Sequence, residues 1–357
     1  MADVAVVGAG IIGQLTALAL SDRGLTVIQI DAGPACPPAS WAGGGILSAL
    51  FPWRYPDALS ALTGDAFERY RALSERIIAM GGPDPEVFRS GMHVHAGAER
   101  VRALEWAERR GVSAREVAAV ETPLQRGGVV AFPDVGSVRN PRLLKGLARL
   151  LSREGIEPCR AVVRQLAKEG NGWRIETDGG LRHAERVVIA AGAWSAPLVA
   201  HLGVSLPLMP VQGEMLLFPP VVPAPRQILL AAEGYVIPRA DGHMLVGSTL
   251  RPGSDDQRPT AVACKQLHVA AASLWPPLQG IEPVAQWAGV RPGSHRTWPW
   301  LGELPGAPGV FLAAGHYRNG LVSAPASAEL LANLICGEKP FIDPTPYSVS
   351  SSSLSPP

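Results

Sequence analysis

The sequence predicts an α/β protein in which a doubly wound sheet alternates along the chain with a second region of short strands and hairpins. Three observations carry this prediction. An unbroken apolar run, Val4–Val7, opens a strand–glycine turn–helix–strand unit, and the same grammar returns at Gly309–Ile335. A third apolar strand, Val187–Ala191, ends on Gly192, where a helix begins. Between these units the chain alternates in short stretches punctuated by turn signals, the pattern of paired strands and not of crossover helices.

The opening unit is the most specific. Val4–Val7 reads as a parallel strand covered on both faces. Gly8, Gly10 and Gly13 follow as G-x-G-x-x-G: a tight turn, room for backbone to approach a pyrophosphate, and close helix packing. Ile11, Ile12, Leu15, Leu18 and Ala19 continue at helical spacing to a stop at Arg23-Gly24. Thr26–Ile30 is a second strand ending on Asp31, where a carboxylate meets ribose hydroxyls. A phosphate site at a helix start plus an acid for the ribose define a dinucleotide site. They do not choose between NAD and FAD.

Composition narrows the partners. The chain has 357 residues, 47% hydrophobic and 18% charged, enough for two or three domains and a large core. Its 32 basic and 31 acidic residues leave no nucleic-acid or membrane footprint, so a small molecule is the expected partner. Cys36, Cys159, Cys264 and Cys336 are scattered without C-x-x-C, the spacing of reduced structural thiols. The eight histidines form no metal spacing such as H-x-x-x-H, and no nucleophile–base–acid order stands out. With a buried strand starting at Val4 and no membrane-length apolar run, a cytoplasmic location is expected.

After a turn-rich stretch at 33–40, Trp41–Leu47 contains three consecutive glycines, suited either to close approach of a flat ring or to a simple hinge. Asp57–Met80 is patterned as a helix stopped by Gly81-Gly82-Pro83. A strand at Phe88–His95, a helix at Glu99–Arg110 and a strand at Val129–Val138 lead to a helix at Asn140–Glu154 with proline in its first turn. Short strands over 156–183 follow, then strands at Leu206–Leu217 and Gly234–Val246, the latter folded at Asp241-Gly242. A helix at Gln266–Leu274 and a strand at Val284–Val290 reach Arg291. Only the final SVSSSSLSPP is low-complexity, which predicts a disordered end.

The glycine motif with Asp31, AGAW at 191–194, GVRPG at 289–293 and GHYRNG at 315–320 stand in one order. In that order the chain resembles the amine-oxidising flavoproteins of the D-amino-acid oxidase superfamily, and within it the glycine oxidases of the thiamine-biosynthesis type. The resemblance implies a GR2-type, Rossmann-like FAD domain at 1–78, 137–206 and 284–340. It is interleaved with an antiparallel, α+β substrate domain at 79–136 and 207–283, and a tail occupies 341–357. It also implies a homo-oligomer, and oxidative deamination of glycine and small amines with O2 as acceptor. The competing readings are a D-amino-acid dehydrogenase that delivers electrons to a quinone, an NAD-dependent dehydrogenase, and an RNA-modifying or non-catalytic flavoprotein module.

Carried over residue by residue, the resemblance gives Gly8, Gly10, Ile11, Ile12 and Gly13 to the pyrophosphate and Asp31 to the ribose, where relatives often have Glu. Ser40, Ala42, Gly43 and Gly44 would line the flavin ring and Val162 the adenine. Gly192 and the turn Gly315, His316, Tyr317, Arg318, Asn319, Gly320 and Leu321 would approach the flavin from the other side. Covalently flavinylated relatives carry a cysteine shortly before that turn; Gly293–Gly306 has none, so dissociable FAD is implied. Arg291 matches the arginine that binds the substrate carboxylate, Tyr235 its hydroxyl partner, and Arg318 a cation near the entrance. Leu250 stands at a pocket-wall position, and Glu233 is expected to place a negative charge near the amine. No side chain is required as a catalytic acid or base.

Overall fold

The computed structural model describes residues 2–33, 38–350 and 354. Its first sheet has eight strands. Five run parallel in the spatial order Val310–Ala314, Gly180–Ile189, Ala2–Val7, Val27–Asp31, Pro158–Arg160. Along the opening strand Val4 and Val6 belong to one core and Ala5 and Val7 to another. A strand sandwiched by two cores is why this run shows no polar alternation. The helix Ile11–Ser21 and the last helix, Gly320–Cys336, pack together on one face. A meander, Val163–Glu169, Gly172–Thr177 and the long strand to Ile189, extends the same sheet on the other.

The second sheet has nine strands and lies against the first unit through Ile46, Trp53, Met215 and Tyr235. All its pairings are antiparallel except Ile228–Ala231 with Met92–His95, which are parallel because each enters the sheet from a separate crossing of the chain. Alternation puts Tyr235 and Ile237 toward the first unit and Val236 into the core behind.

Several sequence expectations are corrected. Ala285–Ser294, assigned above to the first domain, pairs with Leu208–Phe218 along its whole length and is a strand of the second sheet. Its apolar pattern alone gave no hint of which sheet would accept its backbone. The helix expected over Asp57–Met80 is two, Asp57–Thr63 and Ala66–Ala79, divided at Gly64-Asp65 where helix propensity is lowest. The Phe88–His95 strand is split at Gly91, whose φ of +71° breaks the extended chain. The helix expected at Gln266–Leu274 starts earlier, at Ala261, because the Thr260 hydroxyl caps it by accepting from Ala263 N at 3.2 Å.

Residues 341–350 do not behave as a tail. Tyr347 is 1% exposed and donates to Ala58 O at 2.6 Å, and Trp298 Nε1 donates to Pro346 O at 2.9 Å. The expected disorder at the extreme end falls on 351–353 and 355–357, and Cys36 within 34–37, all outside the described residues. Cys159, Cys264 and Cys336 are free thiols. Among the described residues no helix is long and apolar enough to cross a membrane.

Candidate active site

A cavity of about 1240 Å³ runs from the carboxyl ends of the parallel strands to the face of the second sheet. That edge is where ligands bind in doubly wound folds. One end is built by the opening unit. Gly8 has φ +113°, and a Cβ on Gly13 would collide with Gly8 O, so both positions need glycine. Asp31 is clamped by two amides, Ala9 N to Oδ2 and Gly33 N to Oδ1, both 2.7 Å. At the helix start Ser40 Oγ accepts from Ile11 N at 2.9 Å, whereas Ile12 N and Gly13 N have no acceptor among the described residues. Free first-turn amides beside a fixed carboxylate form a cradle for a diphosphate and a ribose.

The cavity is also walled by Gly43, Gly44 and Gly45, and by Gly192, His316 and Tyr317. A Cβ on Gly44 would come within 2.9 Å of Ile237 and 3.0 Å of Tyr235, so the glycine run lets the wall lie flat on the second sheet. Ser40 O is held by Asn140 Nδ2 at 2.7 Å and Ala42 O by Trp287 Nε1 at 3.0 Å. The last helix begins at Gly320 on this cavity and presents its positive end to it. Burial pulls the His316 pKa down to about 3; its Nε2 lies 3.3 Å from Ser327 Oγ, and it is a neutral structural ring.

The far end holds Arg291 and Tyr235, with Arg318 nearby. Arg291 donates to Ser248 Oγ at 3.0 Å and Thr249 O at 3.3 Å, and no carboxylate among the described residues pairs with it. A Cβ on Gly213 would run into the guanidinium, so that glycine makes the space in which it lies. Burial, followed by a smaller effect of Arg318, lowers the Arg291 pKa while Tyr235 and Tyr317 raise it. A half-buried guanidinium with spare donors at the bottom of a cavity has the chemistry to receive a carboxylate.

Of the sequence candidates, Gly8, Gly10, Ile11, Ile12, Asp31, Ser40, Gly43, Gly44, Val162, Gly192, His316, Tyr317, Arg318, Gly320, Leu321, Tyr235 and Arg291 all line this one cavity. Gly13, Ala42, Gly315 and Asn319 stand just behind its walls. Two expectations fail. Glu233 points away from the cavity, paired with Arg126 Nη1 at 2.7 Å and accepting from Ser273 Oγ at 3.0 Å, so it brings no charge to the substrate end. Leu250 is 43% exposed and lies outside the lining, in the connection between the strands Met244–Gly247 and Arg251–Pro252 of the second sheet. Sequence reasoning missed Lys145, Arg160, Trp194 and Gln257, which also line the cavity. Trp194 belongs to the AGAW motif without an assigned role, and the other three have no motif: Lys145 looks like any lysine on an amphipathic helix.

A fold of this topology with a dinucleotide cradle opening onto an arginine-based carboxylate receptor defines a flavin-type amine oxidoreductase. The family model of FAD dependent oxidoreductases (DAO) matches residues 3–334, and the chain belongs to that family. FAD is therefore its cofactor, which decides the choice the glycine motif left open. The chain is 42% identical to a glycine oxidase of Pseudomonas putida over 97% of its length and 98% of that protein. The crystal structure of glycine oxidase from Geobacillus kaustophilus superposes with a TM-score of 0.92 at 30% identity, covering 98% of both chains. A bifunctional protein ThiO/ThiG from Nostoc sp. is 29% identical over 99% of this chain and 56% of its own.

Proposed function

We propose that the protein oxidises glycine and other small amines, such as sarcosine and short D-amino acids, to imines that hydrolyse to a 2-oxo acid and ammonia. The observation that carries this reading is the Arg291 guanidinium, without a carboxylate partner among the described residues, beside Tyr235 in the cavity that holds the dinucleotide cradle. The glycine oxidases among its relatives support the substrate class. Bound FAD, held without a covalent link by Gly8–Gly13, Asp31 and the 43–45 and 315–321 walls, supplies a hydride acceptor for Cα and a route for electrons to O2, with hydrogen peroxide as product.

The chain's own residues orient and exclude water. Arg291 grips the carboxylate through two parallel donors and Tyr235 shares it, which fixes Cα relative to the glycine wall. Ile46 lines the cavity there, and Met215 and Ile237 pack with it and Tyr235 in the apolar core behind, which favours a desolvated amine. With His316 held neutral and Glu233 turned away, no acid or base faces the amine from these positions. The glycine imine would feed thiazole synthesis for thiamine, a reading supported by the bifunctional ThiO/ThiG relative. Oxygen uptake and peroxide release by the purified flavoprotein across glycine, sarcosine, D-alanine and a quinone-only control test the proposal. Turnover that needs a quinone and consumes no oxygen would replace it with a dehydrogenase.

A further inference from the structure

Arg239 closes the strand Gly234–Pro238 four residues after Tyr235, yet it belongs to neither the carboxylate receptor nor the cradle. It is 8% exposed, and its guanidinium bonds only to main-chain carbonyls: Nη2 to Gly44 O at 2.8 Å and Nη1 to Val138 O at 3.2 Å. The neighbouring acids are engaged elsewhere, Glu86 and Asp241 both by Arg139, at 3.2 and 2.7 Å. Burial, helped by the nearby Arg139 charge, brings its pKa to about 10, which still leaves it a cation at neutral pH. A cation kept from water without a carboxylate is costly, and carbonyl dipoles offset only part of that cost.

The geometry says what it does. Gly44 C=O and Gly45 N–H share one planar trans peptide and point in opposite directions. Gly43, Gly44 and Gly45 line the cavity while Arg239 stands behind that wall. Holding the carbonyl backward therefore turns the Gly45 N–H forward, and no acceptor among the described residues takes it. The same loop is locked at φ +85° on Gly45, whose carbonyl accepts from Val138 N at 2.8 Å. We propose that Arg239 is a positioning residue for the cofactor: it pins the Gly44–Gly45 peptide so that its N–H faces the flavin, and its charge favours negative charge in front of the wall.

This rests on the cavity being the FAD site, and reconstitution of apoprotein separates the two claims. Wild-type apoprotein that takes up no FAD would remove the cofactor assignment itself. With wild type competent, Arg239→Met and Arg239→Lys are compared by circular dichroism, FAD titration, absorption spectrum and midpoint potential. The expected result is unchanged apoprotein folding, a Kd for FAD raised about tenfold or more in R239M, displaced flavin absorption maxima, a more negative potential, and a milder change in R239K. A tenfold greater loss for reduced than for oxidised FAD corresponds to about 30 mV in a two-electron potential. Wild-type affinity, spectrum and potential in both variants would overturn the proposal. So would failure of both apoproteins to fold, since Arg239 would then be a structural residue only.

Discussion

Under the proposed function, Arg291 is the residue on which substrate binding turns. Ser248 and Thr249 take two of its five donors, and the side chain lines the cavity. Removing a buried, hydrogen-bonded charge from a pair costs about 2 to 5 kcal/mol, so Arg291→Ala should raise KM for glycine and D-alanine roughly 30- to 4000-fold. An amine without a carboxylate should be nearly unaffected, and steady-state kinetics on both classes checks the difference. His316 makes a stability prediction. Its folded pKa, about 3, lies below the ordinary 6.5, so the unfolded chain binds the extra proton. Stability from this ring is complete above about pH 6.5 and is lost as pH falls toward 3; by pH 5 the loss is about 2 kcal/mol. Urea midpoints at pH 7.5 and 5 should therefore separate less in His316→Asn than in wild type.

The last helix shows how elements are matched. Pro325 lies inside Gly320–Cys336 and has no N–H, so the carbonyl four residues earlier, Leu321 O, loses its helical donor. The fully buried Tyr70 supplies one from the helix Ala66–Ala79, its hydroxyl donating to Leu321 O at 2.7 Å. Desolvation holds the Tyr70 pKa well above its ordinary value, so the phenol keeps its proton. Tyr70→Phe should cost about 1 to 3 kcal/mol by stranding that carbonyl, and Pro325→Ala should recover part of it in a double-mutant cycle. Thermal denaturation of the four proteins measures the coupling. The long helix was legible from its apolar run; the tyrosine that completes it, 251 positions away, was not, because a lone buried tyrosine has no local signature.

The molecule is two sheets sharing one cavity, and under the proposed function FAD would lie along it. FAD at 100 times its Kd should stabilise the native state by about 2.7 kcal/mol, seen as a higher Tm for holoprotein than for apoprotein. The cradle was readable because its parts are local: strand, turn, helix and acid lie within one crossover, and their spacing is dictated by the turn they make. The strand carrying Arg291 was readable as a strand but not as a member of the second sheet, since pairing depends on which distant edge is open.

What the chain order settled alone, then, is the nucleotide-binding unit, the apolar strands and helices, and the arginine placed at the end of one of them. Periodicity and turn chemistry act over a few residues and need no partner. Only the folded molecule decided that Glu233 turns to Arg126, that Leu250 faces outward and that Lys145 reaches the cavity. It also decided that Arg239 stands behind the glycine wall. Those outcomes depend on which side of a strand or helix meets a neighbour far along the chain, and that is set when the sheets close on each other.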